Sequence, residues 1–241
     1  MEPMLVVSAA AVLFLGSLVQ RVAGTGLALV ASPLLVLILG ATVGIQVLLI
    51  IGLAVCVVSA VMLRGYIDYQ RAAILLAASV VGLVPGAVIA RMVPAAWLLI
   101  IVGGITLGAL LSTKLLQRTK VFGGRAGTGL AGALTGFMTS TAALGGPPMV
   151  LYAQAVRWGH LEFVATVQLV FAGINVLSLM ARGVPDLPWI AWITLTCTAL
   201  GGMTVGHLTS QYINQRIARI GVLVIAILGS IAAVLKGVFE L

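Results

Sequence analysis

The chain has 241 residues, of which 62% are hydrophobic and 7% are charged, and its formal net charge is +8. Soluble domains carry roughly 25% charged residues, so this composition excludes an ordinary water-facing surface and predicts a protein embedded in a lipid bilayer. The basic residues lie mostly in short segments between apolar runs, where they set membrane topology, so the positive charge does not indicate a nucleic acid partner.

Ten apolar segments follow one another along the chain, and each predicts a helix. They are Met4–Gln20, Leu27–Gly40, Val43–Leu63, Ala72–Arg91, Ala95–Leu116, Ala126–Ser140, Pro147–Arg157, Leu161–Ala181, Trp189–Leu208 and Ile217–Lys236. A helix needs about 20 residues to cross a bilayer. The third, fourth, fifth, eighth, ninth and tenth are therefore long enough, the second, sixth and seventh are too short, and the first is borderline.

The short segments form two adjacent pairs, each interrupted by a glycine-rich break. The first break covers residues 22–26 (VAGTG) and the second covers residues 141–148 (TAALGGPP). Non-helical backbone at membrane depth is tolerated only where it is buried in protein or lines a cavity. Each pair is therefore predicted to be a helix–break–helix element that dips into the protein centre.

The two halves of the chain repeat one another, which divides it into residues 1–120 and 121–241 of a single membrane domain. Matching residues keep their order at offsets of 118 to 122 residues. The matches include Gln46 with Gln168, Arg64-Gly65 with Arg182-Gly183, Gly82 with Gly202, and Gly24-Thr25-Gly26 with Leu144-Gly145-Gly146.

The basic residues indicate how the halves face. If the segment around Lys114–Arg125 is cytoplasmic and each short pair returns to its starting side, ten basic residues lie inside and three outside. The three outside are Arg91, Arg182 and Lys236. Counting each short pair as one broken crossing makes the halves parallel and weakens this bias. The positive-inside rule therefore favours an inverted repeat with both termini outside.

Each glycine-rich break is followed by a new helix N-terminus, at Leu27 and at Pro147. Free backbone amides and the helix dipole make such a terminus an anion site, and two of them facing each other near the midplane are typical of secondary transporters. Candidate substrate-binding residues are Gly24, Thr25, Gly26, Gln46, Ser140, Thr141, Gly145, Gly146, Pro147 and Gln168, with Gln20, Arg21 and Asn175 as weaker candidates. Thr139 lies beside them.

Other chemistry is not indicated. The five acidic residues, Glu2, Asp68, Glu162, Asp186 and Glu240, all fall at predicted helix ends or in loops. Because the predicted membrane segments hold no carboxylate pair, histidine cluster or Ser–His arrangement, the sequence predicts no enzyme activity, no metal and no cofactor.

At these same residues the chain resembles the TauE/SafE family of sulfite exporters and related anion transporters. The resemblance is carried by Gly24–Leu35, Arg64–Arg71 and Gly145–Tyr152, and it covers nearly the whole chain. It implies export or uptake of sulfite, sulfonates or small carboxylates, driven by a gradient of a coupling ion such as a proton or sodium.

The sequence thus predicts an all-α integral membrane protein with an inverted repeat, moving a small anion by alternating access about a midplane site. The predicted location is a cell membrane, with the bacterial inner membrane favoured. An ion channel that uses the helix–break–helix elements as a filter is the alternative. A membrane enzyme is disfavoured because a catalytic set is missing.

Overall fold

The computed structural model describes the backbone of residues 3–23, 27–115, 121–209 and 215–241, and the side chains of residues 4–20, 27–111, 121–209 and 220–241. Within these ranges the chain forms helices and no strands, which confirms the predicted all-α class. The helices are α1 (Pro3–Ala23), α2 (Leu27–Leu39), α3 (Ala41–Met62), α4 (Tyr69–Met92), α5 (Ala95–Leu115), α6 (Gly124–Ala142), α7 (Gly146–Ala155), α8 (His160–Arg182), α9 (Trp189–Thr209) and α10 (Gln215–Phe239). A 3₁₀ turn at Arg64–Tyr66 follows α3.

Five of these helices, α3, α4, α8, α9 and α10, are long and apolar enough to cross a membrane, so the chain is a multi-pass membrane protein. The fifth helix, which is also predicted to cross, has 21 residues. Its described side chains give a shorter apolar run, Ala95–Leu111. Large apolar side chains such as Val81 and Met180 are more than 70% exposed, as expected for a surface that contacts lipid.

The helices beside the breaks differ in length. The prediction that α2 and α7 are short is confirmed, because they have 13 and 10 residues. The first and sixth helices are longer than predicted, with 21 and 19 residues. Apolar runs underestimate α6 because it is rich in glycine and threonine, and its small residues serve close packing instead of lipid contact.

The packing of α6 on α4 depends on glycine. A Cβ atom at Gly82 would lie 1.8 Å from the carbonyl oxygen of Ala133, and one at Gly136 would lie 1.9 Å from that of Ser79. The two backbones therefore approach too closely for any side chain at these positions. A Cβ at Gly202, the residue that matches Gly82 in the sequence, would lie 2.3 Å from the carbonyl oxygen of Phe14, where α9 packs on α1.

The central helices α3 and α8 run antiparallel. At one end the Gln46 Nε2 atom donates to the carbonyl oxygens of Arg182 and Gly183, at 3.0 and 3.1 Å. At the other end the backbone N–H of Asp68 donates to Thr166 Oγ1 at 3.0 Å. The N-terminal part of α3 therefore lies beside the C-terminal end of α8. Helices α5 and α10 also run antiparallel, because Gly103 approaches Ser230 and Gly237 approaches Ala96.

Candidate functional site

The second break, between α6 and α7, is buried at the centre of the protein. Helix α6 ends with Ala143 in the left-handed conformation, at φ 53° and ψ 28°. Its N–H donates to the carbonyl of Thr139 at 2.8 Å, and the N–H of Leu144 donates to that of Met138 at 3.2 Å. Ala142, Ala143 and Leu144 are all buried, as predicted for irregular backbone at membrane depth.

Helix α7 begins at Gly146, directly after this break, and Gly145 is its N-cap residue. The first turn of a helix exposes N–H groups that have no intrahelical partner. Pro147 and Pro148 have no N–H, so this terminus offers the N–H groups of Gly145 and Gly146 to a ligand. The α7 terminus thus offers fewer free amides than an ordinary helix N-terminus, although the dipole of the helix still favours an anion here.

A cavity of about 580 Å³ lies in front of this terminus. Its walls come from every helix except α4 and α9, and most of the lining side chains are apolar. Gly145, Gly146 and Pro147 form part of the lining. A Cβ atom at Gly146 would meet no atom within 4 Å, so nothing fills the space in front of this residue. The volume is in the range of small-molecule sites in proteins.

Three polar atoms on the cavity wall are buried and have no hydrogen-bond partner among the described residues. They are Thr139 Oγ1, Gln168 Oε1 and Trp158 Nε1. Thr139 is 3% exposed and Gln168 is 9% exposed. Buried polar atoms are normally paired, so each of these unpaired groups is a position where a ligand or water can bond.

The charge of the cavity wall is positive. Arg157 contributes to the lining, and His160 lies near it. Among the described lining residues there is no Asp or Glu. Next to the wall, the Arg71 guanidinium lies 4.5 Å from the centre of the Trp158 ring, but it is paired with the Asp68 carboxylate at 3.4 Å and adds no net charge. Arg157 is exposed, so its charge acts through solvent, and it favours anions over cations where it lines the cavity.

Several predicted site residues meet in this cavity. Gln168 and Asn175 both contribute to the lining from α8, and because they are seven residues apart they share one face of the helix. Gln20 contributes from α1, and it also lines a smaller cavity of about 90 Å³ beside Ser59. Together with Thr139 and the α7 terminus, these side chains supply the predicted polar groups of the site.

Gln46 is placed elsewhere, although it matches Gln168 in the repeat. Its carboxamide is bonded to the end of α8, at the carbonyls of Arg182 and Gly183. Gln168 lies beside Ser59, with which it lines the smaller cavity, and Ser59 is 13 residues beyond Gln46 (59 − 46) on α3. At 1.5 Å per residue the two glutamines are about 20 Å apart along the helix pair. The structure therefore does not bring them together.

The remaining predicted residues divide into two groups. The hydroxyls of Ser140 and Thr141 donate to the carbonyl of Phe137 within α6, at 3.1 and 2.7 Å, and these residues do not line the cavity. Such bonds to the preceding turn are common for serine and threonine in membrane helices. Gly24, Thr25 and Gly26 lie outside the described residues, as does the side chain of Arg21.

Comparison with known proteins identifies the family of the chain. The family model described as sulfite exporter TauE/SafE matches residues 9–233. The chain belongs to the TauE/SafE family. This is a family of membrane transporters of the anion-exporter type and not of enzymes. The resemblance inferred from the glycine-rich motifs is thereby confirmed. No curated protein and no solved structure matched the chain.

Four polar residues that line the cavity of this TauE/SafE protein are not predicted from its sequence, namely Gln154, Arg157, Trp158 and His160. The sequence does indicate where these residues lie, because they are in or directly after the short helix α7. Helix α7 starts at the second break and has 10 residues, so it ends about 15 Å from the break. A cavity lined by the break and by α7 therefore reaches the turn after α7, where Arg157, Trp158 and His160 lie.

Proposed function

We propose that the protein is a secondary transporter that exports a small anion, such as sulfite, an organosulfonate or a small carboxylate, by alternating access. The observation that carries this proposal is the N-terminus of α7, which opens into the central cavity beside unpaired polar groups. Helix termini aimed at an anionic substrate near the midplane are a recurring feature of secondary transporters.

The polar groups of the cavity support an oxyanion. The N–H groups of Gly145 and Gly146, the Thr139 hydroxyl and the Trp158 indole N–H are all donors. Gln168 adds an amide, which has both a donor and an acceptor end. The unpaired acceptor is Gln168 Oε1, in a cavity whose other unpaired groups include several donors. This combination suits an oxyanion that carries a proton, such as hydrogen sulfite. The absence of carboxylates from the described lining favours an anion over a cation.

The packing of the helices supports an inverted repeat of residues 1–120 and 121–241. In this division α3 corresponds to α8 and α5 to α10, and both pairs run antiparallel. A parallel repeat would make corresponding helices run in the same direction. The Gly82 contact of α4 with α6 likewise corresponds to the Gly202 contact of α9 with α1. A twofold relation of this kind allows one half to rock against the other about a central site.

The cavity extends from the break toward Arg157 and His160. The positive-inside argument places Arg157 on the cytoplasmic side, so this conformation corresponds to an inward-facing state that receives substrate from the cytoplasm. We propose that a proton or sodium gradient drives the cycle and that the protein resides in a bacterial inner membrane.

The test is a thermal-shift screen of the purified protein in detergent against sulfite, sulfate, taurine, sulfoacetate and small carboxylates. A ligand that binds the native state raises the melting temperature in proportion to the logarithm of its concentration. We expect at least one small oxyanion to do so, and the active compound should then show saturable flux into proteoliposomes. Flux that rises linearly with concentration would instead indicate a channel.

A further inference from the structure

The side chain of Arg182 lies at the C-terminal end of α8 and is only partly bonded. Its Nη1 atom donates to the carbonyl oxygen of Ser140, in the last turn of α6, at 2.7 Å. Its Nε and Nη2 atoms are buried and have no hydrogen-bond partner among the described residues. Leaving a charged donor buried and unpaired is costly, so such groups normally have a counter-ion.

No described carboxylate provides that counter-ion. The ion pairs found among the described residues join Asp68 to Arg71 and Glu240 to Lys236. Asp186, four residues beyond Arg182, is exposed and forms no ion pair with it. Among the described residues, the charge of Arg182 is therefore stabilised only by the carbonyl of Ser140 and the C-terminal end of α6, and no carboxylate opposes it.

The two unpaired nitrogens are the pair that binds oxyanions best. In an arginine side chain, Nε–H and one N–H of Nη2 point in the same direction and form a planar fork that matches two oxygens of one oxyanion. Here the third nitrogen, Nη1, is fixed by α6, and the backbone of Arg182 is held by Gln46 of α3. The fork is therefore held in a defined orientation by three helices.

We propose that Arg182 binds the transported oxyanion through its Nε and Nη2 atoms, at a second position beyond the central cavity. Arg182 is seven residues past Asn175, a residue of the cavity wall, which is about 10 Å along α8. It lies at the end of the α3–α8 pair opposite to Gln168. This inference rests on the proposed transport of an oxyanion. In the state that opens to the opposite side of the membrane, Arg182 supplies the positive charge that faces the anion.

Isothermal titration of the purified protein with sulfite, methanesulfonate and acetate tests this role, with chloride as the control ion. Arg182→Lys retains the charge but loses the fork, so it should weaken binding of the oxyanion by about tenfold or more. Arg91→Gln is the matched control, because Arg91 is an exposed arginine at the end of α4, and it should bind as the wild type does. If Arg182 only caps α6, the Arg182→Lys protein would melt at a lower temperature with unchanged affinity, and the proposal would be overturned.

A second measurement reports on the side chain directly. In protein labelled with ¹⁵N at arginine Nε, the resonance that disappears in Arg182→Lys should shift when sulfite is added to the wild type, and chloride should not move it. A resonance that sulfite leaves unmoved would refute the assignment. Saturable flux by a protein whose Arg182 resonance does not respond would overturn this inference and leave the proposed function intact, whereas a wild type that neither binds nor transports an oxyanion would remove both.

Discussion

Substitution of Gly146 by alanine examines the anion site without disturbing the packing around it. A Cβ atom at this position meets nothing within 4 Å, so the added methyl group projects into open space. Because the methyl group meets no neighbouring atom, it causes no overpacking, and the free energy of unfolding should change by about 0.5 kcal/mol or less. If the anion lies against the N–H of Gly146, however, the methyl group occupies its place.

Gly145 provides the contrasting variant because its surroundings are full. A Cβ atom there would lie 2.3 Å from Thr139 Oγ1, 2.9 Å from Thr135 Cγ2 and 3.0 Å from Phe171 Cε1. Overpacking of this degree costs about 1–3 kcal/mol. The Gly145→Ala protein should therefore lose stability first, whereas Gly146→Ala should lose affinity first. Loss of one hydrogen bond to a charged ligand, about 1.5–3 kcal/mol, corresponds to roughly a tenfold to hundredfold weaker Kd.

Both quantities are measured on the same purified proteins, the melting temperature by differential scanning fluorimetry and the Kd by isothermal titration with the oxyanion that binds the wild type. We expect Gly146→Ala to melt within a few degrees of the wild type and to bind at least tenfold more weakly. A Gly146→Ala protein with wild-type affinity would show that the anion does not bind at the α7 terminus, and the proposed site would be wrong.

Three further predictions follow from the same geometry. Ala143→Gly should raise the free energy of unfolding by about 1 kcal/mol, because glycine adopts φ 53° without the strain of a Cβ atom, and an unchanged unfolding midpoint in denaturant would contradict this. Gly82→Val should cost about 3 kcal/mol or more, since its Cβ meets a carbonyl of α6, while Gly108→Ala, which meets nothing within 4 Å, should melt as the wild type does. Gln168→Leu should raise the Kd and slow flux into proteoliposomes, whereas Gln46→Leu, which only loosens the end of α8 at Arg182, should raise the Kd by less, and equal Kd changes in the two would argue for one shared site.

The architecture follows from the sequence to a large extent because lipid imposes simple rules on it. All ten helices were predicted near their observed positions, since apolar runs and charged interruptions mark crossings directly. The differences lie at helix ends: α4 begins three residues earlier than predicted, α1 and α10 end three residues later, and α6 is two residues longer at each end. The small residues of α6 lower the apolar signal, and its length is stabilised by close contact with α4, which a local pattern does not contain.

The candidate site was predictable only in part. The glycine-rich break before Pro147 marks the α7 terminus, and Gln168 and Asn175 do line the cavity. The match between Gln46 and Gln168 suggested that they meet, but in an antiparallel helix pair corresponding residues that are far from the twofold axis lie at opposite ends. Whether a matched pair meets depends on its distance from that axis, and sequence offsets alone do not give this distance.

Arg182 is a second residue whose proposed role in the site is not evident from the sequence alone. In the sequence it appears as one basic residue at the end of a crossing, with a role in topology. Its unpaired Nε and Nη2 atoms become evident only when the ends of α6 and α8 are placed side by side. Whether an arginine sets membrane topology or binds a ligand depends on contacts between residues far apart in the sequence. Residue type alone does not distinguish the two roles.

The most direct test of alternating access is counterflow in proteoliposomes. Vesicles containing the purified protein are loaded with a high concentration of unlabelled sulfite and diluted into a trace of ³⁵S-labelled sulfite, with an ionophore that collapses ion gradients. A carrier exchanges external label for internal substrate, so the account predicts transient accumulation of label above its outside concentration, and a sharp reduction of it in Gly146→Ala. Label that only equilibrates, at a rate independent of the internal load, would contradict alternating access.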